Sequence, residues 1–105
     1  MKDKDYIERI LKYADKITKY MSNVTSFNEF ALNEEKIDAV ILNLEQIGET
    51  AKRITETIKQ DYQEIEWTNI IGLRNMISHE YEGISLEIIY DIATKNVRDL
   101  LNKLR

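Results

Sequence analysis

One short stretch of the chain gathers residues able to do chemistry together: Leu73-Arg74-Asn75-Met76-Ile77-Ser78-His79-Glu80-Tyr81. His79 is the only histidine of the protein. Imidazole is the side chain whose unperturbed pKa lies nearest neutrality, so it can both take and give a proton. Arg74 is a permanent cation with a planar fork shaped for phosphate. A base beside a phosphate clamp is the minimum equipment for cutting RNA without a metal ion. Four residues separate Arg74 from His79. With Arg74 at 0° on a helical wheel, Tyr81 falls at about −20°, Ser78 at 40°, Asn75 at 100° and His79 at 140°. Ile70, Leu73, Met76 and Ile77 fall between about −40° and −160° on the same wheel. The wheel therefore expects an apolar side and a polar side, with Asn75 and His79 adjacent at i, i+4. Asn75 could orient the imidazole or a phosphate, and Ser78 could assist. A purely structural reading stands beside this one: Arg74 pairs with a glutamate, His79 helps end the helix and Tyr81 packs at its edge.

The segments that must position this group read as helices. The chain has 105 residues, no proline, no cysteine and three glycines. Hydrophobic residues make up 43% and charged residues 32%, a balance suited to one helical domain over residues 1–105. Ile7, Ile10, Ala14, Ile17 and Met21 recur at helical spacing on a first helix from about Asp3 to Ser22. Tyr6, Tyr13 and Tyr20 form a neighbouring stripe, which could stack bases but whose heptad spacing better fits packing on a helix or subunit. Ser26-Phe27-Asn28-Glu29 fits a capping box that starts a short helical turn. Asn33 caps a long second helix from Glu34 to about Gln60, with Ile37, Val40, Ile41, Leu44, Ile47, Ala51, Ile54 and Ile58 on one face. Gly48 inside it suggests close approach of another helix. A third helix runs from Trp67 to about His79–Tyr81, and Gly83 follows as a stop signal. Ser85 caps a fourth that reaches Leu104. The fold expected is all-α, an up-and-down antiparallel bundle of four main helices plus a short helical turn.

Composition excludes some function classes. Without cysteine there are no disulfides or thiolate metal sites. One histidine leaves a metal only carboxylates, such as Glu45 and Glu49 at i, i+4, which read more simply as solvated helix charges. No metal and no cofactor is expected. The net charge of −4 argues against broad non-specific nucleic-acid binding and demands a small, concentrated cationic site. No apolar run is long enough to span a membrane. The first residues, Met1-Lys2-Asp3-Lys4-Asp5, lack the apolar core of a signal peptide. With the missing cysteines, this gives the expectation of a cytoplasmic protein. One histidine per chain also means that a two-histidine mechanism needs a second chain. Apolar surface to spare on the first and fourth helices (Leu86, Tyr90, Val97 and Leu101 widen the fourth) is the expected seam of a homodimer.

Arg74-Asn75 followed by His79-Glu80-Tyr81 resembles the R-x4-H-x-Y motif of HEPN-domain ribonucleases, and is most similar to the HepT-like toxins. Trp67, Ile71-Gly72-Leu73-Arg74-Asn75, Tyr81 and, on the long helix, Ile47-Gly48-Glu49 with Ala51 carry the likeness across the chain. The resemblance implies a metal-independent endoribonuclease working as a homodimer, with Arg74 and His79 catalytic and Asn75 and Ser78 supporting. It implies the toxin of a type VII-like toxin–antitoxin system. Its partner would be a minimal nucleotidyltransferase antitoxin that silences it by transferring AMP to Tyr81. The alternative is a non-catalytic helical binding or regulatory subunit of such a nucleotidyltransferase.

Overall fold

The computed structural model describes the backbone of residues 2–80 and 85–105 and the side chains of residues 4–77 and 85–105. Every regular element among the described residues is helical. Helix α1 (Lys2–Met21) buries the stripe of Ile7, Ile10, Ala14, Ile17 and Met21. One of its last carbonyls is met by a distant lysine: Lys36 Nζ donates to the Tyr20 carbonyl at 2.6 Å, and also to the side-chain Oδ1 of Asn23, just past the helix, at 2.7 Å. That lysine lies in the first turn of α3, so the end of α1 and the start of α3 are tied together.

The short α2 (Phe27–Ala31) begins with the expected box, shifted by one residue on one arm. Ser26 Oγ accepts from the Glu29 amide at 3.2 Å. Glu29 reaches past Ser26 and accepts from the amide and the hydroxyl of Thr25, both at 2.9 Å. These two bonds hold the Glu29 carboxyl below its ordinary pKa of 4.5, because they favour its charged form. Phe30 is fully buried, and Phe27 and Phe30 both meet the ring of Tyr90 at 5.7 Å.

Helix α3 (Glu34–Ala51) starts where Asn33 Oδ1 accepts from the Lys36 amide at 3.0 Å. It stops nine residues before the expected end at Gln60. The amides of Arg53 and Ile54 turn back to the carbonyls of Thr50 and Ala51, at 3.0 and 3.2 Å. Thr55 then opens a new helix, α4 (Glu56–Asp61), by accepting from the Ile58 amide at 3.4 Å. Length explains the break. An 18-residue α3 is about 27 Å long, against about 30 Å for the 20 residues of α1 on which it packs. A straight helix to Gln60 would overshoot that support by about 10 Å. Turning at 52–55 instead keeps Ile54 buried and packs Ile58 at the core's edge.

Helix α5 (Trp67–Glu80) follows a turn pinned by buried Ile65 and by Trp67, whose Nε1 donates to the Tyr62 carbonyl at 3.3 Å. Ser85 caps α6 (Leu86–Asp91), accepting from the Glu87 amide at 3.2 Å. The expected single rod to Leu104 is continuous but contains a π-helical segment, Ile92–Asn96, before α7 (Val97–Leu104). The sequence spacing accounts for it. Ile89, Ala93 and Val97 are all buried, four residues apart each time. Eight residues of ideal α-helix rotate about 800°, some 80° too far to keep all three on one line. The wider π turn absorbs the excess. Thr94 Oγ1 donates to the Tyr90 carbonyl at 2.8 Å where the ladder is rearranged.

In the assembled bundle α3 packs on both α1 and α5, and α7 packs on α1. The apolar width expected to lie free on the outer helices is mostly consumed inside this one chain. Val97 and Leu101 are core residues, and Tyr6, Tyr13, Tyr20 and Tyr90 lean on the core. Among the described residues, the large apolar side chains left exposed are Leu32, Leu42 and Ile88. No helix is long and apolar enough to cross a membrane among the described residues.

Candidate active site

The expected site is mounted where α5 crosses α3, and Gly48 makes the crossing close. A Cβ built on Gly48 would stand 3.0 Å from Arg74 Cβ, 3.1 Å from the Arg74 amide nitrogen and 3.1 Å from the Ile70 carbonyl oxygen. Backbone therefore meets backbone at this point, and the glycine does what the sequence suggested. The α5 face turned to α3 carries Ile70, Arg74 and Ile77, of which Ile77 is fully buried. Arg74 thus lies on the packed edge of the helix, where the wheel's polar side borders its apolar side. Its stem is fixed by the crossing, and its guanidinium reaches out beside α3.

There it meets Glu49, the residue after the glycine. Arg74 Nε and Glu49 Oε1 are 2.5 Å apart, with side-chain exposures of 40% and 35%. Arg74 Nη1 also donates to Asn75 Oδ1 at 3.5 Å, at the limit of a hydrogen bond. Asn75 is otherwise exposed. A guanidinium has five N–H donors. The contact with Glu49 is an ion pair at Nε and the hydrogen bond to Asn75 uses Nη1, which leaves Nη2 without a partner among the described residues. The pair is open enough to water that its net contribution to stability is about 0–1 kcal/mol. It is a poor staple, but it sets the direction of a cation.

The structural reading of Arg74 therefore holds in part: it does pair with a glutamate. That pairing does not exhaust the arginine. Of the other expected site residues, the backbone at Ser78 and His79 continues α5, while their side chains lie outside the described residues, as does the whole of Tyr81. Asn75 contacts Arg74 rather than standing alone. In the sequence Glu49 reads as a helix charge or a metal carboxylate and as part of the Ile47-Gly48-Glu49 likeness, with no tie to Arg74. Its neighbour Gly48 was the available signal, since a residue beside a helix crossing must border whatever crosses. A separate recess opens on the other flank of α5, where Ile70 and Leu73 face Leu44, Ile47, Ile92 and Val97.

Comparison with known proteins adds identity to this geometry. The family described as "Ribonuclease HepT-like" matches residues 10–105. A protein of Methanocaldococcus jannaschii named "Putative RNase" is 37% identical over 76 residues, covering 72% of this chain and 63% of that relative. The chain thus spans less than two thirds of that relative's length. A second "Putative RNase" from the same organism is 30% identical, covering 90% of this chain and 85% of its own. A Thermococcus cleftensis protein named "Probable ribonuclease HepT" is 28% identical, covering 95% of this chain and 90% of its own. No solved structure matches the chain. A helical bundle with this motif, matched over nearly its whole length, belongs to the HepT-like ribonuclease family.

Proposed function

We propose that the chain is an endoribonuclease that cleaves RNA without a metal ion and acts as the toxin of a toxin–antitoxin pair. The observation that carries this reading is a half-exposed arginine, fixed at a helix crossing with N–H donors to spare among the described residues, five positions before the only histidine. The RNA 2′-oxygen attacks the adjacent phosphorus while the bond to the 5′-oxygen breaks. The products are a 2′,3′-cyclic phosphate and a 5′-hydroxyl. His79 takes the proton from the attacking oxygen or returns one to the leaving oxygen. A positioned acid or base is worth roughly 10²–10⁴ in rate. Arg74 holds the negative charge of the phosphorane, and loss of such a donor costs roughly 10²–10³. Asn75 and Ser78 support the pair. A homodimer brings the second His79 that one chain lacks.

Regulation follows from the same place. A nucleotidyltransferase antitoxin places AMP on Tyr81. A bulky anion there, about two helical turns from Arg74 along the sequence, competes for the guanidinium and repels incoming RNA. Purified protein should cut RNA in the presence of chelator and leave cyclic phosphate ends. Arg74→Ala and His79→Ala should each lower the rate by at least about 10²-fold, read on gels of end-labelled RNA. Undiminished cleavage in both variants ends the proposal. Tight binding of the nucleotidyltransferase without any cleavage favours the regulatory-subunit reading. Intact mass after co-expression with the nucleotidyltransferase should show added AMP that Tyr81→Phe abolishes.

A further inference from the structure

We infer that Glu49 is a positioning residue for Arg74: it holds the guanidinium by Nε and so presents the terminal nitrogens to the scissile phosphate. The inference rests on the ribonuclease reading above and deepens it. Three observations on two helices converge. The Arg74 stem is pinned where its Cβ and amide nitrogen face Gly48, leaving little freedom at the base of the side chain. Glu49 follows Gly48 directly, so its carboxylate is delivered by the same crossing that fixes the arginine. Its Oε1 contacts Nε, the one guanidinium nitrogen nearest the stem, at 2.5 Å.

The geometry of the contact decides its role. A carboxylate across Nη1 and Nη2 would occupy the fork that a phosphate needs. A carboxylate on Nε closes the side of the group and leaves the terminal fork open. Asn75 takes Nη1 only weakly, at 3.5 Å, and yields readily to a stronger anion. A long side chain with several rotatable bonds otherwise samples many directions. Held at both ends of its stem, Arg74 is preorganised, and preorganised charge is what stabilises a transition state. The same carboxylate offsets part of the positive charge, so Glu49 trades some attraction for aim.

The experiment compares cleavage by wild type, Glu49→Ala, Glu49→Gln, Arg74→Ala and the Glu49→Ala/Arg74→Ala double variant, with kcat and KM separated. Positioning predicts that Glu49→Ala lowers kcat by about 10- to 100-fold with KM changed by no more than about twofold. Glu49→Gln, which keeps an acceptor for Nε, recovers most of that loss. The double variant is no slower than Arg74→Ala alone, since Glu49 acts only through Arg74. Thermal melting of Glu49→Ala stays close to wild type, because a half-exposed pair adds little to stability. Unchanged or faster cleavage by Glu49→Ala overturns the inference, as does a double variant slower by the product of the two single effects. If the wild-type chain leaves RNA intact, the ribonuclease reading falls and a second measurement decides the inference. Binding of 2′-O-methyl RNA, which lacks the attacking hydroxyl, should then weaken about tenfold in Glu49→Ala only while Arg74 is present. Equal binding by wild type and Glu49→Ala overturns it.

Discussion

Arg74 shows how one residue can satisfy a packing demand and still present a charge. Its stem fills the helix crossing while its head stays at the surface, as long cationic side chains commonly do. The tolerance at that crossing is small. Gly48→Ala would gain up to about 1 kcal/mol of helix propensity. It would also press a methyl group against the Arg74 amide and the Ile70 carbonyl, backbone atoms held in their own helix. Overpacking of this kind costs about 1–3 kcal/mol, so we expect a net loss and a melting temperature lower by several degrees. Cleavage should fall further than the lost folded fraction accounts for, because Arg74 and Glu49 move apart when the helices do. Calorimetry and rate measurement on the same sample check both. At this scale the sequence was informative where a residue's type forced its surroundings. Gly48 inside an apolar helix face had to border something close. The partner of Arg74 was not legible, because several glutamates lie on α3 and only the crossing angle selects Glu49.

Helical elements were legible as stripes, and their interruptions were not. The caps at Ser26, Asn33 and Ser85 all formed, each a short polar side chain answering an amide at a helix start. The break at 52–55 has no local signature, because no glycine or proline marks it. It comes from the length of the neighbouring helix, which no local window contains. The π segment was in principle readable in the spacing of Ile89, Ala93 and Val97, whose steps of four overrun the α period. The α2 cap supplies a test by acidity. Glu29 has a folded pKa held below its ordinary 4.5 by the bonds from Thr25. A carboxyl with a depressed folded pKa stabilises above the ordinary value and loses that contribution as pH falls through the folded one. The melting-temperature difference between wild type and Glu29→Gln should therefore be steady at neutral pH and shrink as pH drops below 4.5. A difference that grows on acidification would contradict the assignment.

The whole molecule measures 41 × 28 × 20 Å with a radius of gyration of 13.5 Å, close to the ~13 Å expected of a domain this size. It carries a net charge of −4, so on the proposed reading RNA would meet local cations rather than a basic surface. Binding should accordingly depend only mildly on salt. Two or three phosphate contacts on a single strand predict roughly a tenfold loss of affinity between 50 and 200 mM salt. A loss of a thousandfold or more, measured by fluorescence anisotropy, would reveal a wide cationic track instead. The order in which the helices lean on one another carries a last consequence. Helix α5 rests on α3, and α3 on α1, while Ile70 and Leu73 stand across a recess from Ile92 and Val97. The scaffold behaves as a bracket bolted along one side. Damage to the C-terminal rod, such as truncating Leu101, weakens the mount without twisting the tool it carries. Robustness and alignment can therefore drift independently under mutation.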